Sequence, residues 1–259
     1  MSRAKEMKHD IFNNLFMLEI ANNHWGSAEM GVNIIQEFAK VVKANNIKAA
    51  MKFQIRDVPN FVHPDAKHST LRYVKKTIDT ELGHNDFCRL FSVAHNEGFI
   101  LAATAFDEAS VEMAVYLGAD ILKIASSDID DWPLIEAIAK QGLPTIVSTG
   151  GAEIGQIDDI VSYFNDRSIP LAVNHCVSLY PSENTDLALR QISFLKKRFP
   201  ENVIGLSSHE KDDWETSIAV AYALGARTFE RHIDIDDGAT AVTPYCTTPK
   251  QADIWFKAF

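Results

Sequence analysis

The sequence predicts an α/β protein folded as a single (β/α)₈ TIM barrel. Short apolar runs rich in β-branched residues alternate about eight times with amphipathic stretches, and this alternation indicates parallel βαβ units. The chain has 259 residues, which is close to the usual length of one such barrel. Because no low-complexity segment or Pro/Gly/Ser-rich linker interrupts it, we expect one catalytic domain over residues 1–259, with residues 1–14 as an N-terminal extension.

Eight runs carry the strand pattern, and each of them ends in polar residues. In chain order they are FMLEIANNH (16–24), AAMKFQ (49–54), FILAATAFD (99–107), ADILKIASSD (119–128), PTIVSTGG (144–151), PLAVNHCVS (170–178), NVIGLSSH (202–209) and ARTFERH (226–232). The active site of a (β/α)₈ barrel is built where its strands end. The charged and hydroxylated residues at these ends are therefore the candidates for chemistry.

The stretches between these runs carry apolar residues at helical spacing. Residues 27–46 begin with Ser27, a suitable N-cap, and residues 131–142 begin with an aspartate and have a proline in the first turn. The long segment 55–85 predicts a loop with one short helix at the mouth of the site, and residues 247–259 predict a helix that ends early. The helical pattern recurs in residues 107–119, 152–164, 186–199 and 212–226.

Composition narrows the classes of partner. A formal net charge of −10 disfavours nucleic acid or an anionic membrane surface as the main partner. The three cysteines are odd in number and widely spaced, which predicts reduced thiols in a cytoplasmic setting. No apolar run is long enough to cross a bilayer, and the N-terminus lacks the apolar segment of a signal peptide. Exposed barrel helices often pair, so a homo-oligomer is an open expectation.

Two histidines follow neighbouring strands, His209 after the seventh and His232 after the eighth. Adjacent strands lie about 4.8 Å apart, so two imidazoles at matching depth can share one divalent ion and leave positions for water and substrate. The alternative is a pair of hydrogen-bonded interior histidines. Glu230, on the same strand face as His232, is a metal ligand, a carboxylate that orients a histidine, or a salt-bridge partner, and the sequence does not rank these roles.

Two lysines fall at strand ends, Lys52 in the second run beside Gln54 and Lys123 in the fourth. A lysine in the barrel mouth is costly unless it meets an anion, so two of them predict a ligand with more than one negative charge. A single strand-end hydroxyl is more often a turn or cap than a ligand, but several around one rim with two lysines predict a site for phosphate plus carboxylate. These hydroxyls belong to Thr104, Ser126, Ser127, Ser148, Thr149, Ser178 and Ser207.

A third group follows the first strand. Glu19 is a candidate proton carrier, because a partly buried carboxyl can have a raised pKa. Asp107 and Asp128 end the third and fourth runs, and the alternative for both is that they cap the next helix. Together with the mixed donors and acceptors of Asn22, Asn23 and His24, these carboxylates suit a neutral polyol.

Taken together, these residues form eight ordered motifs that resemble those of the sialic acid synthase family. The motifs are EIANNHWG (19–26), KFQ (52–54), TAFD (104–107), KIASSD (123–128), STGG (148–151), HCVSLYP (175–181), GLSSH (205–209) and ERH (230–232). The resemblance covers nearly the whole chain. Members of that family make nonulosonic acids by condensing phosphoenolpyruvate with an N-acetylated hexose.

The resemblance implies a role for each motif. His209 and His232 match the two metal-binding histidines, which usually hold Mn²⁺ or Mg²⁺. The residues that face the sugar correspond to Glu19, Gln54 and Tyr180, and the residues expected to act in catalysis are Glu19, Lys123 and Glu230. The set that binds phosphoenolpyruvate corresponds to Lys52, Thr104, Lys123, Ser126, Ser148, Ser178 and Ser207, although at the position of Ser178 better-known members can carry asparagine.

Three departures from the family pattern concern the acceptor side. Where members carry a GPD-type motif, residues 233–249 read IDIDDGATAVTPYCTTP, so Thr243 or a neighbour replaces the aspartate that contacts the sugar. Asp128 replaces a glutamate. The antifreeze-like C-terminal domain, which in the family lends an arginine to the partner's sugar site, is absent from residues 1–259.

The leading functional prediction is a transferase that joins phosphoenolpyruvate to the aldehyde of an N-acetylmannosamine-like or related aldose. Its products are a 3-deoxy-2-keto sugar acid and phosphate. Two alternatives stay open. One is a pyruvate aldolase that forms a Schiff base with Lys123 or Lys52, and the other is a barrel that binds phosphoenolpyruvate without catalysis.

Overall fold

Eight parallel strands close a barrel in chain order in the computed structural model, which describes residues 10–238 and 240–259. Each strand pairs with the next, and the eighth pairs with the first. This confirms the predicted (β/α)₈ TIM barrel; residues 1–9 of the predicted extension lie outside the described residues. The strands are β1 Leu15–Glu19, β2 Ala49–Ile55, β3 Ile100–Ala105, β4 Ile121–Ile124, β5 Thr145–Ser148, β6 Leu171–Cys176, β7 Val203–Ser207 and β8 Thr228–His232.

Helices cover the outside of the barrel. Ser27 caps the first of them as predicted, because its hydroxyl accepts a hydrogen bond of 3.2 Å from the backbone N–H of Met30. No helix in the described ranges is both long and apolar enough to span a membrane. The helices are α1 Ala28–Ala44, α2 Val58–Phe61, α3 Arg72–Asp79, α4 His84–Glu97, α5 Glu108–Tyr116, α6 Trp132–Lys140, α7 Ile154–Asp166, α8 Arg190–Arg198, α9 Trp214–Leu224 and α10 Pro249–Ala258.

Two helical segments differ from the sequence prediction. The segment 55–85 contains α2, α3 and the 3₁₀ turn Pro64–Ala66 rather than one short helix. No residue of α3 is fully buried, although Val74 and Ile78 lie one helical turn apart on one face of it. The last helix, α10, runs for ten residues instead of ending early. It is held by packing, since the rings of Trp255 and Phe256 lie 4.7 and 5.1 Å from that of Phe16 on β1.

The alternation of side chains along the strands explains why polar groups collect at one end of the barrel. An apolar cluster fills the other end, and it includes Phe12 from within the predicted extension. Side chains two residues apart along a strand point to the same face of the sheet. The steps from this cluster are Met17 to Glu19, Ala50 to Lys52, Ala102 to Thr104, Ile121 to Lys123, Ile146 to Ser148 and Ala172 to Asn174. The barrel interior therefore changes from apolar to polar over one step of these six strands.

Gly205 on β7 is required by a close approach inside the barrel. The Thr228 hydroxyl donates to the Asn174 side-chain oxygen at 2.5 Å. A Cβ at Gly205 would lie 1.7 Å from the Thr228 Oγ1 and 2.3 Å from the Asn174 Oδ1. We expect Gly205→Ala to lower the free energy of unfolding by about 3 kcal/mol, because an overpacked core must shift strands or break this hydrogen bond. Urea unfolding followed by circular dichroism measures the change.

The matched control for that variant is Gly155→Ala. Gly155 lies in α7, and a Cβ built there meets no atom within 4 Å. Alanine is the better helix former, so this variant should gain about 0.5 kcal/mol. Equal unfolding midpoints for the two variants would contradict the packing argument.

Candidate active site

Two lysines and two glutamates meet inside the barrel where β1, β2, β4 and β8 end; we call these four residues the tetrad. The Lys123 ammonium donates to both carboxylate oxygens of Glu230, at 2.8 and 2.6 Å. The Lys52 ammonium lies 3.2 Å from Glu230, forms an ion pair with Glu19 and donates to the Thr104 hydroxyl at 2.9 Å. All five side chains are buried. Glu230 is thus the salt-bridge partner among the three roles left open by the sequence.

The tetrad balances two positive charges with two negative ones out of contact with water. Burial lowers the pKa of Lys52 to about 7, although Glu230 opposes this shift. Burial alone would raise the pKa of Glu230, but the charges of Lys123 and Lys52 outweigh it and hold that pKa far below its usual value. A small anion that reached the two ammonium groups would therefore compete with carboxylates already in place.

Beside the tetrad, the STGG turn after β5 closes against two serines and a thiol. The Gly150 N–H donates to the Ser126 hydroxyl at 3.0 Å. A Cβ at Gly150 would lie 2.3 Å from the Ser178 Oγ, 2.9 Å from the Ser126 Oγ and 3.2 Å from the Cys176 Sγ, so only glycine allows this approach. The sequence analysis did not select Cys176, although its inward step from Asn174 on β6 was a usable signal.

Two further predicted hydroxyls, those of Ser148 and Ser207, lie at the ends of β5 and β7. The Ser148 side chain is buried, and its Oγ has no hydrogen-bond partner among the described residues. A buried hydroxyl without a partner is costly and is available to a ligand. Ser207 pairs in register with Glu230 on one side and with Cys176 on the other. Among the predicted hydroxyls, Thr104 contacts Lys52. Two others make local hydrogen bonds instead: Ser127 donates to Asp128 at 2.8 Å, and Thr149 donates to the Asn174 carbonyl at 3.2 Å.

His209 and His232 face each other as predicted. Their ring centroids are 5.4 Å apart, and the His209 Nδ1 lies 3.3 Å from the Val177 carbonyl oxygen. Burial lowers the pKa of His209 to about 4, and burial followed by the charges of His209 and Lys52 lowers the pKa of His232 well below 6.5. Both imidazoles are therefore neutral at pH 7, which is the form that binds a metal ion. Within residues 10–238 and 240–259, no third His, Cys, Asp or Glu completes a metal-binding group with them.

Two tyrosines border the histidine pair. The ring of Tyr180, a predicted sugar-facing residue, lies 4.0 Å from that of His209 between centroids, and half of its surface is exposed. The ring of Tyr245 lies 5.3 Å from that of His232 and 5.4 Å from that of Tyr180. Tyr245 was missed by the sequence analysis, because nothing in the sequence of its loop fixes how the loop folds back.

Two of the six residues assigned to a polyol site, Asn23 and Asp107, make structural contacts instead. The Asn23 amide donates to the Ile233 carbonyl at 2.8 Å. Asp107 caps α5 by accepting from the Ser110 N–H at 2.7 Å, which confirms the capping alternative. That alternative is wrong for Asp128, which lies in the 3₁₀ turn Ser126–Asp128, because Asp131 caps α6. One oxygen of Asp128 is buried without a hydrogen-bond partner.

Hydrogen bonds through Thr247 join the two ends of the loop after β8, and we call this contact the clamp. The Asp234 N–H donates to the Thr247 carbonyl at 3.1 Å, and the Thr247 N–H donates to the His232 carbonyl at 2.8 Å. The buried guanidinium of Arg231 donates to the Thr247 hydroxyl at 2.8 Å and forms an ion pair of 2.8 Å with Glu210. The two ends of this loop are thus held together directly beside a candidate metal ligand.

Comparison with known proteins places this geometry in a family. The model of the NeuB family matches residues 34–244. N-acetylneuraminate-9-phosphate synthase of Mus musculus is 30% identical over 237 residues, which cover 88% of this chain and 63% of that protein. Pseudaminic acid synthase of Campylobacter jejuni subsp. jejuni serotype O:2 is 29% identical over 223 residues, 84% of this chain and 64% of that protein. The chain therefore spans less than two thirds of the length of these relatives.

A solved structure agrees with these sequence matches. The crystal structure of a putative spore coat polysaccharide biosynthesis protein E from Chromobacterium violaceum superposes with a TM-score of 0.92 and is 34% identical. The alignment covers 95% of this chain and 73% of that one. Because the family model matches most of the chain and the barrel superposes on a similar protein, this chain belongs to the NeuB family.

Proposed function

We propose that this chain condenses phosphoenolpyruvate with the aldehyde of a sugar to give a 3-deoxy-2-keto sugar acid and phosphate. The observation that carries the proposal is the meeting of the Lys52 and Lys123 ammonium groups inside the barrel, next to the facing imidazoles of His209 and His232. This arrangement, in a member of the NeuB family, combines a cradle for a small multiply charged acid with a site for a divalent cation.

The anion cradle fits phosphoenolpyruvate, which carries a phosphate and a carboxylate. Two ammonium groups and several hydroxyl donors suit a ligand that has two anionic groups better than a ligand that has only one. The Ser148 hydroxyl supplies a donor that has no hydrogen-bond partner among the described residues. On binding, the substrate oxygens take the place of Glu230 and Glu19 on the lysines.

The histidine pair fits Mn²⁺ or Mg²⁺ with two protein ligands. Both imidazoles are neutral at pH 7, and the contact of His209 Nδ1 with Val177 leaves Nε2 for the ion. Two ligands leave open positions for water and the aldehyde oxygen. When bound, such an ion acts as a Lewis acid that polarises a carbonyl group.

In the reaction, the methylene carbon of phosphoenolpyruvate forms a bond to the aldehyde carbon. A water then adds to the carbon that carries the phosphate, and the bond between that carbon and the phosphate oxygen breaks. Lys52 and Lys123 hold the phosphate and carboxylate and stabilise the charge that develops on them. Glu19 lies at the end of β1 and forms an ion pair with Lys52 in the free protein. Once the substrate takes its place on Lys52, Glu19 takes up a proton and gives it to the aldehyde oxygen as this becomes a hydroxyl.

Glu230 is the base for the water that adds. In the free protein its pKa is held low by Lys123 and Lys52. Once the substrate occupies the two ammonium groups, these cations stabilise the Glu230 carboxylate less, and burial favours its protonated form. The same residue thus balances the lysines before binding and accepts a proton during the reaction.

The deciding experiment measures phosphate release from purified protein loaded with Mn²⁺. We expect release only when phosphoenolpyruvate and an aldose are both present, with N-acetylmannosamine, its 6-phosphate, other hexosamines and pentoses as the panel. Phosphoenolpyruvate binding by calorimetry, without release on any aldose, would favour the non-catalytic barrel. If the protein neither binds phosphoenolpyruvate nor releases phosphate, the proposal is wrong.

A Schiff-base aldolase is the second candidate, and one observation favours it. Burial lowers the pKa of Lys52 to about 7, so part of this amine is neutral and nucleophilic at pH 7. Borohydride with pyruvate separates the two reactions. A covalent adduct on Lys52 or Lys123 would support the aldolase, and the synthase predicts none.

A further inference from the structure

Arg56 follows β2 directly, two residues after Gln54, and lies flat against an aromatic ring. Its guanidinium carbon is 3.6 Å from the ring centroid of Phe106 and 5.7 Å from that of Phe61. The two rings contact each other edge to face at 6.2 Å. Neither the motifs nor the charge pattern of the sequence singled out this arginine, and the proposed mechanism does not use it.

The contact between Arg56 and Gln54 fixes the orientation of an amide. The Arg56 Nη2 donates to the Gln54 Oε1 at 3.0 Å. A guanidinium can only donate hydrogen bonds, so the amide atom facing it must be the oxygen and not the nitrogen. The NH₂ group of Gln54 is therefore turned away from Arg56. Together with His24, both side chains line a cavity of about 20 Å³ beside the segments that follow β1 and β2, which is room for about one water molecule.

From this geometry we propose that Arg56 is a positioning and specificity-determining residue for the acceptor sugar. It acts by holding the Gln54 amide with its NH₂ group toward the ligand. This inference rests on the proposed function, in which Gln54 faces the sugar. The free N–H groups of Arg56 and Gln54 are all donors, so this side of the site fits a sugar substituent that accepts hydrogen bonds, namely an acyl carbonyl or a phosphoryl oxygen.

The surrounding charges agree with this assignment. Burial lowers the pKa of Arg56 to about 10, and the charges of Asp128 and Asp107 oppose that shift. The oxygens of Asp107 are occupied by the N–H groups of Asp57 and Ser110, at 2.8 and 2.7 Å. Asp128 accepts from the Ser127 hydroxyl at 2.8 Å, and among the described residues neither Asp128 nor Asp107 forms an ion pair with Arg56. The guanidinium is thus in contact with an aromatic face and a neutral amide.

Steady-state kinetics of two substitutions test the proposal. In Arg56→Gln the new side chain can donate or accept, so the Gln54 amide is free to flip; we expect the KM for the acceptor to rise about tenfold, the loss of one hydrogen bond. The KM for phosphoenolpyruvate should stay within about twofold. Arg56→Lys retains an obligate donor and should recover most of the affinity. Equal effects of the two substitutions, or an equal rise in both KM values, would overturn the inference.

The matched control is Arg167→Gln. Arg167 also lies over a ring, 3.5 Å from the Tyr163 centroid, and donates to a nearby oxygen at 3.0 Å. It is exposed at the end of α7, outside the candidate site. We expect both KM values of this variant to equal those of the wild type, so a change specific to Arg56 is not a general result of unstacking an arginine.

The choice of acceptor identifies the oxygen that is recognised. If the effect of Arg56→Gln disappears when the acyl group is removed from the sugar, the carbonyl oxygen is the partner; if it disappears without the phosphate, the phosphoryl oxygen is. If the effect of Arg56→Gln persists with a sugar that lacks both the acyl group and the phosphate, neither oxygen is recognised and the inference is wrong. Should the wild type turn over no aldose, the proposed function fails separately, and calorimetry of sugar binding decides this inference. Weaker binding by Arg56→Gln supports it, and equal or absent binding in both proteins overturns it.

Discussion

Lys123→Met is expected to abolish phosphate release and to lower the free energy of unfolding by about 3 kcal/mol. Lys123 donates to both oxygens of Glu230 inside the barrel, and removing one member of a buried charge pair leaves the other without adequate compensation. Activity should fall at least about a thousandfold, because the anion loses one of two cations that hold it. Urea unfolding and a phosphate-release assay measure the two effects.

A second substitution separates stability from activity. Adding Glu230→Leu to Lys123→Met replaces the charge pair by apolar groups of similar size, which often restores stability, while activity should stay lost. The control is Lys257→Met, since Lys257 makes an exposed ion pair with Asp253 on α10 and should keep both stability and activity. If Lys123→Met unfolds at the same urea concentration as the wild type, the buried ion pair between Lys123 and Glu230 does not contribute to stability as expected.

Removal of the divalent ion should have an effect of similar size. We expect a chelator to stop phosphate release by the wild type and added Mn²⁺ or Mg²⁺ to restore it. His209→Ala and His232→Ala should each lose about a thousandfold in rate, because a Lewis acid contributes several kcal/mol to the polarised carbonyl. The metal should not restore either variant, and calorimetry should show weaker Mn²⁺ binding by both.

An exposed histidine provides the control for these variants. His63 lies before the 3₁₀ turn Pro64–Ala66, and its side chain is 74% exposed. His63→Ala should respond to chelator and Mn²⁺ as the wild type does. A chelated wild type that keeps its full rate would contradict the role of the histidine pair, whatever the variants do.

The barrel and the inward positions of its site were predictable because both follow from periodicity. A strand that places Met17 in the apolar interior must place Glu19 on the same face, and the same holds for Ile121 and Lys123. Strand order then brings His209 and His232 together. Pattern alone thus identifies which residues share the interior at the ends of the strands.

The partners that side chains choose were not predictable in the same way. Lys123 and Glu230 are separated by 107 positions and reach each other across the interior, and no periodicity reports which of several inward carboxylates a lysine meets. Arg56 and Tyr245 depend on how irregular segments fold back over the mouth. In the segment 55–85 one short helix was predicted and two are present; α2 has only four residues, which is too few for a helical period to show in the sequence.

The clamp at the base of the loop after β8 has a consequence for how much the sequence of this loop can vary. Thr247 joins Asp234, His232 and Arg231, so the chain leaves and re-enters the barrel at nearly one point. Residues 235–238 and 240–246 follow and precede this junction, so we expect changes of length or sequence between them to leave the strand that carries His232 in place. If the proposed function holds, replacement of this loop is therefore a direct way to change the sugar that is accepted while the histidine pair and the lysines are kept.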